Sequence, residues 1–317
     1  MRLPKKPMAA FSLSLLLLVT GCQGAGDSTP SGLPLSSAVS SPSAQEESRS
    51  PASEPEVSPE STPPAPQEAP TAAVQTGLIL EQILEDEEGP IHYSYYLPEG
   101  YDSGKSYPLV VTMPGYDRMW FGEDSSGSNL AWNGFTAWTG LDEEVIVVSA
   151  QLTDWGETSA KQAVCLTEHF IKYFAVDKSR VYAAGYSAGG ETMSRAVAMR
   201  PDLYAAYLHG ASQWDGEYKP VAENGVAVYI FMAENDEYYG SQKARDAYNN
   251  LYGAYREAGY TEEQIAEVLR VEIPDNAYFN ALGIYNYHGG GSVVFDEEEV
   301  LRWLLSHQKS QQKGTST

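Results

Sequence analysis

The sequence predicts an α/β domain, with a mainly parallel sheet of about eight strands covered by helices on both faces. Short apolar runs alternate with longer segments of helical periodicity over residues 77–317. Most of the runs are continuous in Val, Ile, Leu and Ala, which is typical of strands buried on both faces. The helical segments between later runs supply the crossovers that parallel strands require.

Each predicted element has its own signal in the sequence. The first two strands are predicted at 77–84 and 91–97, and the second alternates in period 2. Strands of the buried type follow at 109–113, 145–150, 181–184, 206–209, 226–232 and 268–273. Helical patterns separate the later strands, at 159–174, 188–199, 241–258 and 297–307. Hydrophobic residues make up 42% of the 317-residue chain, which is enough for a sizeable core.

The N-terminus has the parts of an export signal. Basic residues precede an apolar run at about 8–19, which ends in Val19-Thr20-Gly21-Cys22. This ending resembles a bacterial lipoprotein lipobox, in which the cysteine receives the lipid and becomes the first mature residue. We therefore expect residues 1–22 to be a lipoprotein signal peptide with lipidation at Cys22. The expected location is the bacterial cell envelope, on the outside of the cytoplasmic membrane or on an outer membrane where one is present.

Residues 23–76 have the composition of a disordered tether rich in Pro, Ser and Glu. They hold 10 of the 19 prolines, and no aromatic residue occurs between Phe11 and Tyr93. Such a segment buries too little apolar surface to offset the entropy of ordering its chain. The predicted organisation is therefore a signal peptide over 1–22, a tether over 23–76 and one folded domain over 77–317.

Charge and cysteine content exclude several classes of function. With 43 acidic and 20 basic residues, the formal net charge is −23, so the chain lacks the basic footprint that nucleic acid or an anionic membrane surface requires. If Cys22 carries lipid, Cys165 has no partner for an internal disulfide, and a cysteine-rich zinc site is excluded. The expected attachment to the membrane is through acyl chains, which need no basic patch.

The pattern that carries chemistry is G-x-S-x-G, formed by Gly185, Ser187 and Gly189. An apolar strand precedes it and a helix of small residues follows directly, which is the context of a nucleophile elbow. In such an elbow the serine occupies a sharp, strained turn, and side chains at the flanking glycines would clash with backbone. Ser187 is therefore the predicted nucleophile. The Ala188 N–H, at the helix start, is a predicted oxyanion donor.

A nucleophilic serine needs a histidine base and an acid that orients it. His288 lies in a glycine-rich loop between the last strand and the last helix, from which it can reach the serine. Strand 226–232 runs into an acidic loop, and the carboxyl ends of parallel strands carry the site in open α/β sheets. Asp236 in this loop is the predicted acid, and Glu234 and Asp275 are the alternatives.

Loops after other strands supply a second oxyanion donor and aromatic side chains. Pro114-Gly115-Tyr116 follows strand 109–113 and lets the backbone come close, so the Tyr116 N–H is the candidate donor. Loop 116–139 and two other strand ends carry aromatic residues. These residues either bind substrate, by stacking on a sugar ring or an aryl acyl group, or they anchor the loop to the domain. The candidate substrate-binding residues are Trp120, Trp132, Trp155 and Trp214.

These segments together resemble an α/β-hydrolase of the esterase D, carbohydrate esterase family 1 and poly(3-hydroxybutyrate) depolymerase-like group. They are also similar to the catalytic domain of prolyl oligopeptidases. The resemblance covers most of residues 90–307. The matching pieces are Tyr107-Pro108-Leu109-Val110-Val111, Asp177-Lys178-Ser179-Arg180-Val181-Tyr182, Gly185-Tyr186-Ser187-Ala188-Gly189-Gly190, Glu234-Asn235-Asp236, and His288 before Leu301-Arg302-Trp303-Leu304-Leu305.

The resemblance implies a triad of Ser187, Asp236 and His288, with oxyanion donors at Tyr116 and Ala188. It implies no metal and no cofactor. One position departs from the family pattern, because the family usually has His-Gly after its third strand and Pro114 stands in place of that histidine. The departure concerns the oxyanion donor at Tyr116 and leaves the triad untouched.

The resulting hypothesis is a secreted, lipid-anchored serine hydrolase that cleaves carboxylic esters through an acyl-enzyme. Carbohydrate-linked acyl esters are among the candidate substrates, and the lipid at Cys22 is the expected link to the membrane. Two alternatives stay open. One is a serine peptidase of the prolyl oligopeptidase type, and the other is a non-catalytic surface binding protein on a hydrolase scaffold.

Overall fold

A mixed sheet of eight strands organises residues 75–309, the part of the chain that the computed structural model describes. Its strand order is β1-β2-β4-β3-β5-β6-β7-β8. The strands are β1 (Gly77–Leu84), β2 (Ile91–Leu97), β3 (Tyr107–Met113), β4 (Ile146–Gln151), β5 (Val176–Tyr186), β6 (Ala206–Gly210), β7 (Ala227–Phe231) and β8 (Leu269–Glu272). β2 pairs antiparallel with both β1 and β4, and all pairs from β4 through β8 are parallel. The predicted, mainly parallel sheet is therefore confirmed.

Strand β5 begins five residues before the predicted start. Its first part, Val176 to Arg180, is mostly polar and so gives no apolar run in the sequence. This part joins the sheet because Val176 pairs with Tyr107 of β3, ahead of the regular register that begins at Val181 and Leu109. The pairing partner, and not local composition, sets this strand boundary.

Nine α-helices lie within the described residues. They are α1 (Asn133–Thr136), α2 (Glu157–Tyr173), α3 (Ala188–Met199), α4 (Tyr218–Glu223), α5 (Gln242–Glu257), α6 (Glu262–Val268), α7 (Asn276–Ala281), α8 (Tyr287–Gly290) and α9 (Glu298–Leu305). The four predicted helices correspond to α2, α3, α5 and α9, with ends shifted by two residues or fewer. The other five span only four to seven residues, which is too short for helical periodicity to show in the sequence.

Helices and ordered segments cover both faces of the sheet. Alternate side chains of the central strands enter two separate cores, so that Val111 and Val181 face one layer while Val110 and Tyr182 face the other. The first layer is built from α2, α3, α4, α5 and α6, and the second from α1, α9 and the 3₁₀ segment Gly291–Asp296. Burial on both sides explains why these strands are continuous apolar runs.

The parallel strands direct their carboxyl ends to one edge of the sheet. The segments that follow β3, β5, β6 and β7 begin there at Pro114, Ser187, Ala211 and Met232. This edge is where open α/β sheets bind their ligands, because the loops that leave neighbouring strands converge on it.

The predictions for the N-terminal part of the chain lie outside the described residues. They concern the signal peptide over 1–22, lipidation at Cys22 and the tether over 23–76, of which only the last two residues are described. Within residues 75–309, no helix combines the length and the apolar character that a membrane crossing requires.

Candidate active site

Ser187 occupies the turn between β5 and α3 in a backbone conformation that non-glycine residues avoid. Its φ is 53° and its ψ is −124°, and such a conformation costs roughly 1–3 kcal/mol, which the surrounding structure must offset. The Ser187 N–H donates to the Gly210 carbonyl at 3.0 Å, and the Ser212 hydroxyl donates to the Ser187 carbonyl at 2.7 Å. The β6 strand and the loop after it therefore hold the strained turn in place.

Three glycines around the serine are required by close contacts, two with backbone and one with a side chain. A Cβ on Gly185 would lie 2.6 Å from the Gly189 carbonyl oxygen, and a Cβ on Gly190 would lie 2.5 Å from the Ser212 Cβ. A Cβ on Gly189 would meet the carbonyl oxygens of residues 113 and 114 at 2.4 Å. Because such distances are far below normal contact, only glycine lets α3 start against the ends of β3 and β5. This is the physical reason for the G-x-S-x-G spacing.

The structure brings Ser187, His288 and Asp236 together in one hydrogen-bonded line. The distance from Ser187 Oγ to His288 Nε2 is 3.0 Å, and the distance from His288 Nδ1 to Asp236 Oδ2 is 2.8 Å. The Asp236 carboxylate accepts the N–H of His288 Nδ1. The other ring nitrogen, Nε2, then carries no proton, and its lone pair faces the serine hydroxyl. Ser187 is only 8% exposed and Asp236 only 6%, so water competes little for these bonds.

The environment of Asp236 keeps its carboxyl ionised. Its Oδ1 accepts the backbone N–H groups of Tyr238 and Tyr239 at 2.9 and 2.8 Å, while Oδ2 faces His288. Burial raises the pKa of Asp236, but the hydrogen bonds from His288 and the two amides outweigh burial, and the pKa falls below its ordinary value. A charged acid at this position stabilises an imidazolium on His288.

His288 is held by its backbone as well as by its ring. The Glu237 carboxylate accepts the N–H of Tyr287 at 3.0 Å and the N–H of His288 at 2.7 Å, and the Tyr186 hydroxyl donates to the His288 carbonyl at 2.9 Å. His288 lies in the one-turn helix α8 and not in an open loop, because Asn286 caps that turn through the Gly289 N–H. Sequence reasoning missed the role of Glu237, since nothing local links it to a segment 50 residues away.

The alternative acids are engaged elsewhere. Asp275 caps helix α7 by accepting the Tyr278 N–H at 3.1 Å. The Glu234 side chain is exposed, and its backbone N–H donates to the Pro274 carbonyl at 2.8 Å. Of the three predicted carboxylates, Asp236 is therefore the one that the structure places against the imidazole.

The two candidate oxyanion donors come from two chain segments next to the serine. Ala188 is the first residue of α3, so its N–H has no partner within that helix. Tyr116 begins the 3₁₀ turn Tyr116–Arg118, and it lines the same cavity as Ser187 and Ala188. The contact of Gly189 with the carbonyls of residues 113 and 114 fixes the two segments side by side. Pro114, which stands where the family has a histidine, follows the end of β3 directly, and the two segments stay in contact there.

A cavity of about 860 Å³ opens above Ser187 and His288. Of the four tryptophans predicted to bind substrate, Trp132 and Trp155 line it, together with Tyr116, Tyr186, Tyr238 and Tyr239. The volume and the aromatic walls suit an aryl group or a sugar ring rather than a small acyl group alone.

The other two candidates, Trp120 and Trp214, do not line this cavity. The Trp120 ring stacks on His92 with centroids 3.5 Å apart. Trp214 is buried against His209, and its indole N–H donates to the Gly216 carbonyl at 2.8 Å. Both rings anchor loops to the domain, which was the alternative interpretation of the aromatic residues.

Comparison with known proteins agrees with this fold. The profile of the prolyl oligopeptidase family matches residues 149–259, and no curated protein matches the chain. A thermostable esterase of known structure superposes with a TM-score of 0.61 at 18% identity, over 73% of this chain and 63% of that one. A putative dipeptidyl aminopeptidase IV from Bacteroides ovatus gives 0.50 at 13% identity, over 75% of this chain and 37% of that one. This chain thus spans less than two thirds of either structure.

The chain therefore has the α/β-hydrolase fold. The family match over residues 149–259 supports a serine hydrolase of the α/β-hydrolase type. At these identities the structural likeness concerns the fold alone, so reaction and substrate have to be argued from the site.

The first test concerns the acid. We expect Asp236→Asn to fold but to lose on the order of 10⁴-fold in kcat, because the amide N–H₂ would favour the wrong imidazole tautomer. The matched control is Glu234→Gln on the same loop, which removes one exposed charge and should keep kcat near the wild-type value. Steady-state hydrolysis of a soluble ester by both variants measures this, and the reverse ranking would show that Asp236 is not the orienting acid.

Proposed function

We propose that this protein is a serine hydrolase that cleaves carboxylic esters through an acyl-enzyme. The observation that carries the proposal is the 3.0 Å contact between Ser187 Oγ and His288 Nε2 at the floor of an aromatic cavity, with Asp236 at Nδ1. A serine hydroxyl is a weak nucleophile until an adjacent base takes its proton, and this arrangement supplies that base.

The reaction follows from these positions in two halves. His288 Nε2 takes the Ser187 proton as Oγ attacks the ester carbonyl, and the N–H groups of Ala188 and Tyr116 receive the developing oxyanion. The imidazolium then gives the proton to the departing alcohol oxygen. In the second half a water attacks the acyl-enzyme, His288 takes a proton from it, and that proton returns to Ser187 Oγ as the acid leaves. No step in this sequence uses a metal or a cofactor.

Ester cleavage fits the cavity better than peptide cleavage does. An alcohol leaves more readily than an amine, which must be protonated while an extended chain is held firmly in place. Among the aromatic side chains of the walls, Tyr116 is 55% and Trp155 41% exposed, so their faces are open to a substrate. Aromatic faces suit the stacking of a sugar or an aryl acyl group, so carbohydrate-linked acyl esters are the favoured substrates.

A peptidase of the prolyl oligopeptidase type is the second candidate. The match of that family to residues 149–259 favours it, since the matched part includes Ser187 and Asp236. The same triad can cleave amides when the leaving amine is well positioned, so the two activities differ in binding rather than in chemistry. A non-catalytic binding protein on the same scaffold is the third candidate.

Matched substrates distinguish the three candidates. We expect kcat/KM on acetyl, feruloyl and longer acyl esters to exceed that on peptide amides of the same acyl part. Ser187→Ala should lower turnover by about 10⁵–10⁶-fold, because the serine, histidine and acid act as a unit. Efficient cleavage of unactivated prolyl or alanyl peptide bonds with slow ester turnover would favour the peptidase. A folded protein that cleaves neither substrate would favour the binding protein.

We also propose that the enzyme is exported and held at the membrane by lipid on Cys22. The support comes from the sequence, in the apolar run over 8–19 that ends in Val19-Thr20-Gly21-Cys22. We expect Cys22→Ser to move the protein from the membrane fraction to the soluble fraction while kcat on a soluble ester stays unchanged, because the acyl chains alone would provide the attachment. Membrane retention of Cys22→Ser would contradict lipid anchoring.

A further inference from the structure

One tyrosine of the acid loop contacts the acid and the base of the triad and lines the same cavity as the nucleophile. The Tyr239 backbone N–H donates to Asp236 Oδ1 at 2.8 Å, and its ring packs edge-on against the His288 ring with centroids 5.5 Å apart. Tyr239 also lines the cavity together with Ser187 and Glu191. Tyr239 thus lies on the side of the serine where His288 exchanges its proton with the leaving group and with water.

The Tyr239 hydroxyl has a defined hydrogen-bond partner. It donates its proton to the carboxylate of Glu191, which lies on α3 one turn after Ser187 and is only 8% exposed. Burial raises the pKa of Glu191, and the hydrogen bond from Tyr239 opposes that shift. Behind Glu191 lies Asp215, whose charge is paired with Arg195 at 2.9 Å. The Tyr239 proton is therefore directed away from the nucleophile.

With its proton given to Glu191, the Tyr239 oxygen can still accept a hydrogen bond from another donor. Burial and the bond to Glu191 raise the pKa of Tyr239, and a hydrogen bond with the Ser187 side chain opposes that rise. Ser187 Oγ therefore has two acceptors nearby, His288 Nε2 and the Tyr239 oxygen, but only one proton to donate. Once Ser187 is acylated it has no proton, and both acceptors are open to another donor.

A water molecule is the donor that matches these two acceptors. We propose that Tyr239, held by Glu191, positions the hydrolytic water for deacylation, an inference that rests on the acyl-enzyme of the proposed function. The water donates one O–H to His288 Nε2 and the other to the Tyr239 oxygen, so that a lone pair faces the acyl carbon. The water oxygen bonds to that carbon, its first proton moves to Nε2 and then to Ser187 Oγ, and the bond between Oγ and the acyl carbon breaks. Tyr239 keeps its proton throughout.

Pre-steady-state hydrolysis of a p-nitrophenyl ester separates the two half-reactions. In Tyr239→Phe we expect the burst of nitrophenol to keep its rate constant while the steady-state rate falls about tenfold, the effect of one lost hydrogen bond of about 1.4 kcal/mol. The matched control is Tyr252→Phe, which removes a hydroxyl that donates to Glu262 on the surface. It should leave both phases unchanged. Equal slowing of burst and steady state, or no change in either, would overturn the role of Tyr239.

Competition between water and methanol for the acyl-enzyme gives a product ratio, methyl ester to free acid. A purely structural role of Tyr239 would leave this ratio unchanged. Methanol has a single O–H, which goes to His288, so it gains nothing from Tyr239. In Tyr239→Phe the ratio of methyl ester to free acid should therefore rise by the same factor, about tenfold, that the hydrolysis step loses. The ratio does not depend on how much of the variant is folded. An unchanged ratio would overturn the proposal.

A second variant tests whether Glu191 holds Tyr239 in place. A labelling experiment tests whether Ser187 is a nucleophile, on which the proposal depends. Glu191→Gln, whose amide can donate to the Tyr239 oxygen and reverse the bond, should raise the methyl ester ratio in the same direction, and Glu262→Gln on the surface should not. If Glu191→Gln leaves the ratio unchanged, Glu191 is not a positioning residue. If a fluorophosphonate fails to label Ser187 of the wild-type protein, the proposed function itself fails. Labelling with an unchanged methanol ratio would overturn only the role of Tyr239.

Discussion

The site depends on one backbone constraint, the left-handed turn at Ser187. That turn projects the serine side chain from the end of β5 into the cavity, and it forms only because α3 starts in contact with β3. The contact leaves no room for a side chain at Gly189, because an added Cβ would lie 2.4 Å from the carbonyl oxygens of residues 113 and 114. The strain of roughly 1–3 kcal/mol is offset by two hydrogen bonds, one from the Ser187 N–H to the Gly210 carbonyl and one from the Ser212 hydroxyl to the Ser187 carbonyl. The nucleophile, the start of α3 and the Tyr116 loop are thus parts of one packed unit.

The loop after β7 then positions the groups around the nucleophile. Asp236 orients the imidazole, Glu237 holds the backbone of α8 that carries His288, and Tyr239 lines the cavity together with Ser187. Four consecutive residues of this loop thus orient the His288 ring, hold the His288 backbone and form part of the cavity wall. It also concentrates negative charge, which the backbone N–H groups of residues 238, 239, 287 and 288 compensate. A shift of this loop would displace the base and its acid together.

The sequence was sufficient to predict the sheet and its eight strands, because strands follow from local patterns. It was also sufficient to predict that Ser187, His288 and Asp236 lie close together, because the segments after parallel strands meet at one edge of the sheet. It was insufficient for Glu237 and Glu191, whose partners lie about 50 residues away and give no local signal. It was also insufficient to place Trp120 and Trp214. An aromatic residue near a strand end fits a cavity wall or a loop anchor equally well, and only the tertiary contacts with His92 and His209 decide between them.

The central claim is that Ser187 carries the acyl group between the two halves of the reaction. Rapid acid quenching during turnover of an aryl ester, followed by proteolysis and mass spectrometry, tests it directly. We expect the peptide that contains Ser187 to gain the mass of the acyl group in place of one hydrogen, and the gain to disappear in Ser187→Ala. Sustained ester turnover with no adduct on that peptide, or with the adduct on another residue, would contradict the account.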